Sequence, residues 1–274
     1  MKVGKKKVGI IGLGVVGNAI YKHFKTKMDD VIGYDKFKRE NSVEKIEDTS
    51  DCKIIFLCLP TLYDGEAKEY NKSALNEVCS FLQNIEYQGV TVLKSTIEPG
   101  VSNHLAQKYS LKIIHNPEFL SAKTAEVDFA EQHHIVLGKS QSCSDADIEY
   151  LKEFYKTTHP TAQVSIVTST ESEVMKLAVN NFYAVKIQFF NEIYLLSKKL
   201  GISYESVKKT MLKNGWINRM HTEVPGHDGK LSYGGMCFPK DTNALNEFMK
   251  KHGTYNALIN STVKERETIR DINY

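Results

Sequence analysis

The segment Lys7-Val-Gly-Ile-Ile-Gly-Leu-Gly-Val-Val-Gly17 decides the fold of the first half of this chain. In it an apolar run leads into Gly12-x-Gly14-x-x-Gly17, and a helical pattern of apolar residues follows. In a turn of this kind the first glycine permits the tight bend, the second lets a ligand approach the backbone, and the third lets helix and strand pack closely. We therefore predict a strand, a glycine turn and a helix whose N-terminus binds the pyrophosphate of a dinucleotide.

A second apolar strand, Val31-Ile-Gly-Tyr34, ends at Asp35. An acid at this distance from the glycine turn is suited to the ribose hydroxyls of adenosine, which favours NAD over NADP as the cofactor. Lys36 and Lys38 keep the other cofactor open, because basic residues at this place can accept a 2′-phosphate.

Strands and helices continue to alternate after Asp35, as an α/β fold with a doubly wound sheet requires. Ligands of such sheets bind beyond the carboxyl ends of the strands, where Thr61, Ser95, Thr96 and Glu118 fall. We predict a Rossmann-type domain in residues 1–169, a long connecting helix in residues 170–201 and a small helical domain in residues 202–274. A capping box at Thr170-Glu-Ser-Glu173 is predicted to begin the long helix.

Composition narrows the class of protein and its partners. The 274 residues carry a formal charge of only +3 with scattered lysines, which does not indicate a nucleic-acid partner. Five cysteines without a C-x-x-C pair or a His/Cys cluster predict reduced thiols in the cytoplasm and no metal site. The apolar run after the basic N-terminus is interrupted by glycines, so it does not predict a signal peptide, and no apolar stretch is long enough for a bilayer.

The segment Tyr233-Gly-Gly-Met-Cys-Phe-Pro-Lys-Asp241 sets one cysteine between a glycine pair and a Lys-Asp pair. Gly234 and Gly235 lack a Cβ, so a ligand could come close to the backbone there. A nearby ammonium such as that of Lys240 favours a nucleophilic thiolate, and Asp241 could hold a water or accept a proton. A buried cysteine in a glycine-rich turn is the alternative interpretation.

Several segments resemble those of the UDP-glucose/GDP-mannose (nucleotide-sugar) dehydrogenase family. They are the cysteine segment above, Leu-Cys-Leu-Pro-Thr61, Lys-Ser-Thr-Ile-Glu-Pro-Gly100, Asn-Pro-Glu-Phe-Leu120 and the helical Glu173-x-x-Lys176-x-x-x-Asn180. The resemblance implies an NAD-dependent enzyme that oxidises the primary alcohol of a nucleotide sugar to a carboxylate. Two hydride transfers through a cysteine thioester are expected, with UDP-glucose as the substrate and UDP-glucuronate as the product.

The resemblance also implies roles for individual residues. Cys237 is the expected nucleophile, Lys176 and Asn180 stabilise the oxyanions, and Thr96, Glu118 and Asp241 position and deprotonate water. Expected cofactor contacts are Gly12, Gly14, Val15, Val16, Gly17, Asp35, Pro60, Thr61, Ser95, Thr96 and Lys240. Expected substrate contacts are Glu118, Phe119, Leu120, Lys176, Asn180, Tyr233, Gly234, Gly235 and Cys237. The alternatives are a helix cap for Thr96, a solvated acid for Glu118 and a surface lysine for Lys176.

The sequence departs from the family pattern at two places. Ala122 stands where members usually carry a second glutamate, and typical members continue past the cysteine segment into another α/β domain. The expected nucleotide site is therefore smaller, and it is expected to be shared across a homodimer formed by the long helix. Arg219 or Lys230 can meet phosphate from the loop of residues 216–232, or that loop is a plain surface loop. The last segment, Lys264–Asp271, is interpreted as a solvated helix face.

Two other functions are compatible with the same sequence features. The first is a single-step dehydrogenase of the 3-hydroxyacid or 6-phosphogluconate type, which also joins a Rossmann domain to a helical domain through a long helix. The second is a non-catalytic protein that binds NAD or a sugar nucleotide.

Overall fold

The computed structural model describes residues 7–271, so residues 1–6, with most of the basic N-terminus, and residues 272–274 lie outside the described residues. The described chain forms two compact units. The N-terminal unit contains residues 7–62 and 70–176, and the C-terminal unit contains residues 63–69 and 177–271. The division between them falls within the long helix.

The N-terminal unit is built on a seven-stranded sheet. The chain contains, in order, β1 (Val8–Ile11), β2 (Val31–Tyr34), β3 (Ile54–Leu57), β4 (Tyr63–Asp64), β5 (Glu69–Tyr70), β6 (Val90–Leu93), β7 (Lys112–His115), β8 (His134–Lys139) and β9 (Gln163–Thr168). The sheet has the order β2-β1-β3-β6-β7-β8-β9, while β4 and β5 form a separate two-stranded ribbon. Neighbouring strands of the sheet are parallel except β7 and β8, which are antiparallel.

The helices of the described chain alternate with these strands and then follow them. They are α1 (Val15–Lys27), α2 (Ser73–Asn84), α3 (Val101–Tyr109), α4 (Ala125–Ala130), α5 (Asp145–Thr158), α6 (Ser169–Leu200), α7 (Tyr204–Leu212), α8 (Phe238–Lys251) and α9 (Ala257–Ile269). A short 3₁₀ turn lies at Ile46–Thr49.

Both faces of the central strands are covered, which is why β1, β3 and β6 are almost wholly apolar, whereas the edge strand β9 has no buried residue. Along β3, Ile54 and Phe56 pack in one cluster with residues of α1, α4 and α5. Their neighbours Ile55 and Leu57 pack in a second cluster with residues of α2 and α3. Successive side chains of a strand point to opposite faces, so one strand supplies both clusters. The predicted doubly wound α/β fold is confirmed, with one antiparallel pair that the alternation of elements did not indicate.

The capping box of α6 lies two residues earlier than the sequence analysis placed it. The Glu171 carboxylate accepts from the backbone N–H of Thr168 at 2.7 Å, and the Thr168 hydroxyl accepts from the N–H of Glu171 at 3.3 Å. Glu173 instead accepts from the N–H groups of Gly100 at 2.5 Å and Ser102 at 2.8 Å. Glu173 therefore caps the N-terminus of α3, whose first amides have no partner within their own helix.

The C-terminal unit is helical and has its own core. Phe190 of α6, Tyr204 of α7 and Ile269 of α9 pack together with Val224 and Leu231. Helix α8 begins at Phe238, with Pro239 in its first turn, where a proline begins a helix without losing a hydrogen bond. Within residues 7–271, no helix combines the length and apolar character needed to cross a membrane.

Candidate active site

The glycine turn joins β1 to α1, and its three glycines serve different needs. Gly12 has a φ of +92°, and a Cβ on it would lie 2.5 Å from the carbonyl oxygen of Cys58. A Cβ on Gly17 would lie 1.8 Å from the carbonyl oxygen of Gly12. A Cβ on Gly14, the N-cap of α1, would meet no described atom within 4 Å. Two glycines are thus required by packing, whereas Gly14 faces open space at a helix N-terminus that favours anions. The expected contacts Val15 and Val16 begin α1.

Asp35 follows β2 and faces the glycine turn. Its Oδ2 accepts from the N–H of Leu13 at 2.7 Å, and its Oδ1 accepts from the N–H groups of Phe37 at 2.9 Å and Lys38 at 3.0 Å. Burial opposes ionisation of this carboxyl, but the three backbone hydrogen bonds outweigh it and lower the pKa of Asp35. The residue is a fixed negative charge beside the turn, which suits ribose hydroxyls and repels a 2′-phosphate.

The two lysines that kept NADP open are both engaged within the protein. The Lys36 ammonium lies 2.7 Å from the carboxylate of Glu77. The Lys38 ammonium donates to the carbonyl oxygen of Leu13 at 3.0 Å. Neither arrangement gives a phosphate a preformed cluster of donors, so the side chains around Asp35 fit NAD better than NADP.

The ends of the adjacent strands β3 and β6 carry four of the expected cofactor contacts. The Thr61 hydroxyl donates to the carbonyl of Thr96 at 2.7 Å, and the Ser95 hydroxyl donates to the carbonyl of Leu59 at 2.7 Å. These two bonds tie the strand ends together, with Pro60 exposed beside them. Thr96 is buried and does not cap α3, because the N-cap of that helix is Gly100.

Lys176 lies against the segment that follows β7. Its ammonium donates to the backbone carbonyl of Glu118 at 2.5 Å, stands 3.4 Å from the Glu118 carboxylate and lies 5.0 Å from the ring centre of Phe119. Only 4% of Lys176 is exposed, so it is not a surface lysine. The Glu118 carboxylate also accepts from the N–H of Leu120 at 2.6 Å, and Ala122 is exposed. The structure thus brings four of the expected residues together: Lys176, Glu118, Phe119 and Leu120.

A buried polar cluster supports this segment, and the sequence analysis gave it no role. The Lys94 ammonium donates to the side chain of Asn116 at 2.9 Å and lies 3.4 Å from the carbonyl of Pro117. The hydroxyl of Tyr155 donates to the same Asn116 oxygen. Burial lowers the pKa of Lys94 to about 8. The signal was a lysine directly after the wholly buried strand β6, where a solvated charge is unexpected.

In the C-terminal unit, Asp241 is the centre of a second cluster. Its Oδ2 accepts from the Asn180 amide at 2.6 Å, and its Oδ1 accepts from the Lys240 ammonium at 2.5 Å. Its backbone carbonyl accepts from the Asn181 amide at 3.1 Å. Asp241 is completely buried, so these donors hold a carboxylate that water does not solvate. Three expected site residues therefore form one network.

Cys237 stands directly before α8 and is the exposed member of the five cysteines, all of which lie within the described residues. Cys52, Cys79 and Cys143 are buried, and Cys58 is half-buried. Burial raises the pKa of Cys52 to about 11 and that of Cys58 and Cys79 to about 12. The dipole at a helix N-terminus favours an anionic group, and Cys237 occupies that position. The cysteine is therefore not the buried packing residue that was the alternative interpretation.

The residues before Cys237 have different surroundings. Tyr233 is buried, and its hydroxyl lies 3.3 Å from that of Thr242. A Cβ on Gly234 would lie 2.3 Å from the guanidinium of Arg270, so this glycine makes room for a protein side chain. Gly235 has a φ of +75°, the left-handed region that a glycine adopts without strain. Both glycines were expected to leave space for a ligand. At Gly234 the guanidinium of Arg270 fills that space instead.

The two basic residues proposed for phosphate in residues 216–232 have acidic neighbours. Lys230 pairs with Asp271 at 2.7 Å, and Arg219, whose side chain is 84% exposed, lies 3.7 Å from Glu223. Glu223 also pairs with Lys208, and each of the two basic residues has a carboxylate partner within the described chain.

The family models decide the identity. Residues 37–159 match the NAD binding domain of the UDP-glucose/GDP-mannose dehydrogenase family, and residues 170–267 match the central domain of the same family. Together the two matches cover most of the chain. The chain belongs to the UDP-glucose/GDP-mannose dehydrogenase family. NAD is the cofactor that this membership and the surroundings of Gly14 and Asp35 indicate.

Relatives in this dehydrogenase family give the same assignment. A UDP-glucose 6-dehydrogenase from Rickettsia prowazekii (strain Madrid E) is 28% identical over 256 residues, which are 89% of this chain and 56% of that protein. The UDP-glucose 6-dehydrogenase YwqF from Bacillus subtilis (strain 168) is 32% identical over 215 residues, which are 75% of this chain and 46% of that protein. The chain therefore spans about half the length of the curated relatives it matches.

The fold is also that of a solved member of this dehydrogenase family. A UDP-glucose dehydrogenase from the hyperthermophilic archaeon Pyrobaculum islandicum superimposes with a TM-score of 0.84 at 23% sequence identity. The superposition covers 98% of this chain and 70% of that structure.

Proposed function

We propose that this chain is an NAD-dependent nucleotide-sugar dehydrogenase that oxidises UDP-glucose to UDP-glucuronate in two steps, through a thioester on Cys237. The observation that carries the proposal is the exposed Cys237 at the N-terminus of α8, one helical turn before Asp241 and its partners Asn180 and Lys240. A thiol that is exposed, preceded by a glycine in the left-handed region and set at a helix N-terminus is suited to nucleophilic attack.

The proposed chemistry balances with two molecules of NAD and one of water. When bound, NAD supplies the hydride acceptor for each oxidation. The alcohol of the sugar first loses a hydride and a proton, which gives an aldehyde. The Cys237 thiolate adds to the aldehyde carbon, and the resulting thiohemiacetal loses a second hydride and its hydroxyl proton to give a thioester. Water then attacks the thioester carbon, the carbon–sulfur bond breaks, and the carboxylate product leaves the regenerated thiolate.

The side chains proposed for these reaction steps have different roles. Lys176 and Asn180 lie four residues apart on α6, hence one turn apart on one face, and donate to the developing oxyanions. Each has donors beyond those already used, because an ammonium has three N–H groups and an amide has two. Glu118 removes a proton from the attacking water, which Thr96 and Asp241 help to position.

The defining experiment counts NADH per sugar. Purified protein with NAD and UDP-glucose should form two NADH for each UDP-glucuronate, and Cys237→Ser should lose the complete reaction by about 10³-fold or more. Cys79→Ser, which changes a buried cysteine of α2, is the matched control and should keep turnover. One NADH per turnover that is unaffected by Cys237→Ser would support a single-step dehydrogenase instead. NAD binding without turnover across UDP- and GDP-sugars would support a non-catalytic binding protein.

We also propose that the chain forms a homodimer through α6. Phe182, Phe189 and Leu196 are spaced by seven residues, so they lie along one face of the helix. Their exposed fractions are 63%, 46% and 52%, which is high for large apolar side chains in a row. A second copy of the same face would cover them by the symmetric packing that most dimers use.

A further inference from the structure

We propose that Arg266 and Arg270 of α9 are positioning residues that fix the cysteine loop, residues 231–237, and thereby the reactivity of Cys237. The inference deepens the proposed function, on which its catalytic consequence rests. Its structural part, the control of thiol reactivity, stands without that function. From its sequence, this segment of α9 was interpreted only as a solvated helix face.

Two arginines hold three consecutive carbonyl groups of the cysteine loop. Arg270 donates through Nη1 to the carbonyl oxygens of Leu231 at 2.8 Å and Ser232 at 3.0 Å. Arg266 donates through Nε to the carbonyl oxygen of Tyr233 at 3.0 Å, and its guanidinium lies 5.5 Å from the centre of the Tyr233 ring. The two arginines are four residues apart and therefore share one face of α9.

The Arg270 guanidinium is closely packed as well as hydrogen-bonded. Its Nη2 pairs with the carboxylate of Asp228, and its side chain is only 12% exposed. The same nitrogen occupies the place where a Cβ on Gly234 would stand. Charge-assisted hydrogen bonds from a planar, largely buried guanidinium fix direction as well as distance. The glycine at position 234 is thus explained by the arginine that lies against it.

The cysteine loop is also held by α6. The side-chain oxygen of Asn191 accepts from the N–H of Ser232 at 2.8 Å, and the Ser232 hydroxyl donates to the Gln188 side chain at 2.5 Å. The backbone is therefore fixed from two helices as far as Tyr233. Beyond it the chain passes through Gly235, at a φ of +75°, to the exposed Met236 and Cys237. The direction in which the chain leaves Tyr233 therefore determines the position of the Cys237 sulfur.

This arrangement has a chemical consequence. A nucleophile gains rate from being held in an attack geometry, and a displacement of about 1 Å can cost about 100-fold. Arg270→Lys keeps the charge but removes the two-pronged donation to adjacent carbonyls. We therefore expect the arginine, and not merely a positive charge, to be needed.

The test measures the rate at which iodoacetamide alkylates Cys237, followed by mass spectrometry over a range of pH. Arg270→Lys and Arg266→Met should slow alkylation about fivefold or more and change its pH profile, measured at a temperature at which each variant is fully folded. Asp271→Asn is the matched control, because it removes the exposed Lys230–Asp271 pair at the same helix end and leaves the hydrogen bonds of both arginines to the cysteine loop in place, so it should change the rate less than about twofold.

A double-mutant cycle keeps the proposal testable if a variant is unstable. Gly234→Ala should displace the Arg270 side chain and slow alkylation by itself. Combined with Arg270→Lys it should add little, because both changes disturb the same contact. Fully additive effects, or arginine variants that fold and react like the wild type, would overturn the proposal. Alkylation of Cys237 needs no sugar or NAD. The alkylation rates can therefore be interpreted even if the protein lacks the proposed dehydrogenase activity.

Discussion

The side-chain amide nitrogen of Asn180 lies 2.6 Å from the carboxylate of Asp241, a residue that is completely buried. Lys240 approaches the other carboxylate oxygen at 2.5 Å. One unsolvated charge thereby orients an amide and an ammonium. Because Asn180 is held by Asp241, its direction is fixed before any substrate binds, which is the condition for electrostatic stabilisation of an oxyanion.

Removal of the Asp241 charge should cost stability. Asp241→Asn leaves the Lys240 ammonium, which is only 18% exposed, without its carboxylate and places an amide N–H₂ where an acceptor is required. Loss of one partner from a buried pair typically costs about 3–5 kcal/mol, and because Lys240 is partly exposed we expect a loss of about 3 kcal/mol. The measurement is the free energy of unfolding in urea.

The same helix supplies the control for this prediction. Lys250, whose side chain is 45% exposed, pairs with Glu247 on α8, and Lys250→Gln should change the free energy of unfolding by less than about 1 kcal/mol. Equal losses for the two variants would contradict the view that Asp241 is a buried electrostatic centre.

Substitutions in the glycine turn can separate its role in packing from its role in binding NAD. Gly17→Ala places a Cβ 1.8 Å from the Gly12 carbonyl and should cost roughly 3 kcal/mol or more in stability. Gly14→Ala meets no described atom within 4 Å, so it should cost less than about 1 kcal/mol yet weaken NAD binding about tenfold or more. Thermal unfolding and calorimetric titration with NAD measure the two quantities. Unchanged NAD affinity in Gly14→Ala would show that the space beyond Gly14 is not used by the cofactor.

The buried Lys94 should make the free energy of unfolding depend on pH. Burial lowers its pKa to about 8 from an ordinary 10.5, so between these values the unfolded state binds more protons than the folded state. The free energy of unfolding should therefore rise with pH across this interval, because the cost of the buried charge disappears as Lys94 loses its proton. The difference between wild type and Lys94→Met should shift in favour of the wild type by roughly 2–3 kcal/mol over this range. A difference that stays flat with pH would show that Lys94 titrates normally.

The apolar face of α6 gives a test of the proposed dimer. Phe189→Glu places a charge in the middle of the row formed with Phe182 and Leu196, and burial of an unpaired charge in an interface is strongly unfavourable. We expect the wild type to elute as a dimer in size-exclusion chromatography with light scattering, and Phe189→Glu as a monomer with unchanged helicity. Lys198→Glu, which introduces the same side chain at an exposed position of the same helix outside this row, is the control. A wild-type protein that is monomeric at micromolar concentration would contradict the proposed dimer.

Short-range signals accounted for much of the fold. The alternation of apolar strands with helices, and the glycine turn in front of α1, identified the doubly wound sheet because a strand buried on both faces must be apolar along its whole length. The antiparallel pairing of β7 and β8 was not predicted, because strand direction depends on the path of the connection. The capping box of α6 was misplaced by two residues, since Glu171 and Glu173 both fit the pattern and only their spatial partners differ.

For the candidate site, the sequence by itself determined the kinds of chemical group: a glycine turn, an acid after β2, one cysteine before a helix, and a lysine and an asparagine one turn apart. These depend on local pattern, in which residue type and spacing carry the information. Only the tertiary structure decided that Arg266 and Arg270 turn inward to the carbonyls of the cysteine loop, that Lys94 is buried against Asn116, and that Gly234 makes room for a guanidinium. Such contacts join residues tens of positions apart, and a charged side chain has the same sequence signature whether it meets water or a buried carbonyl.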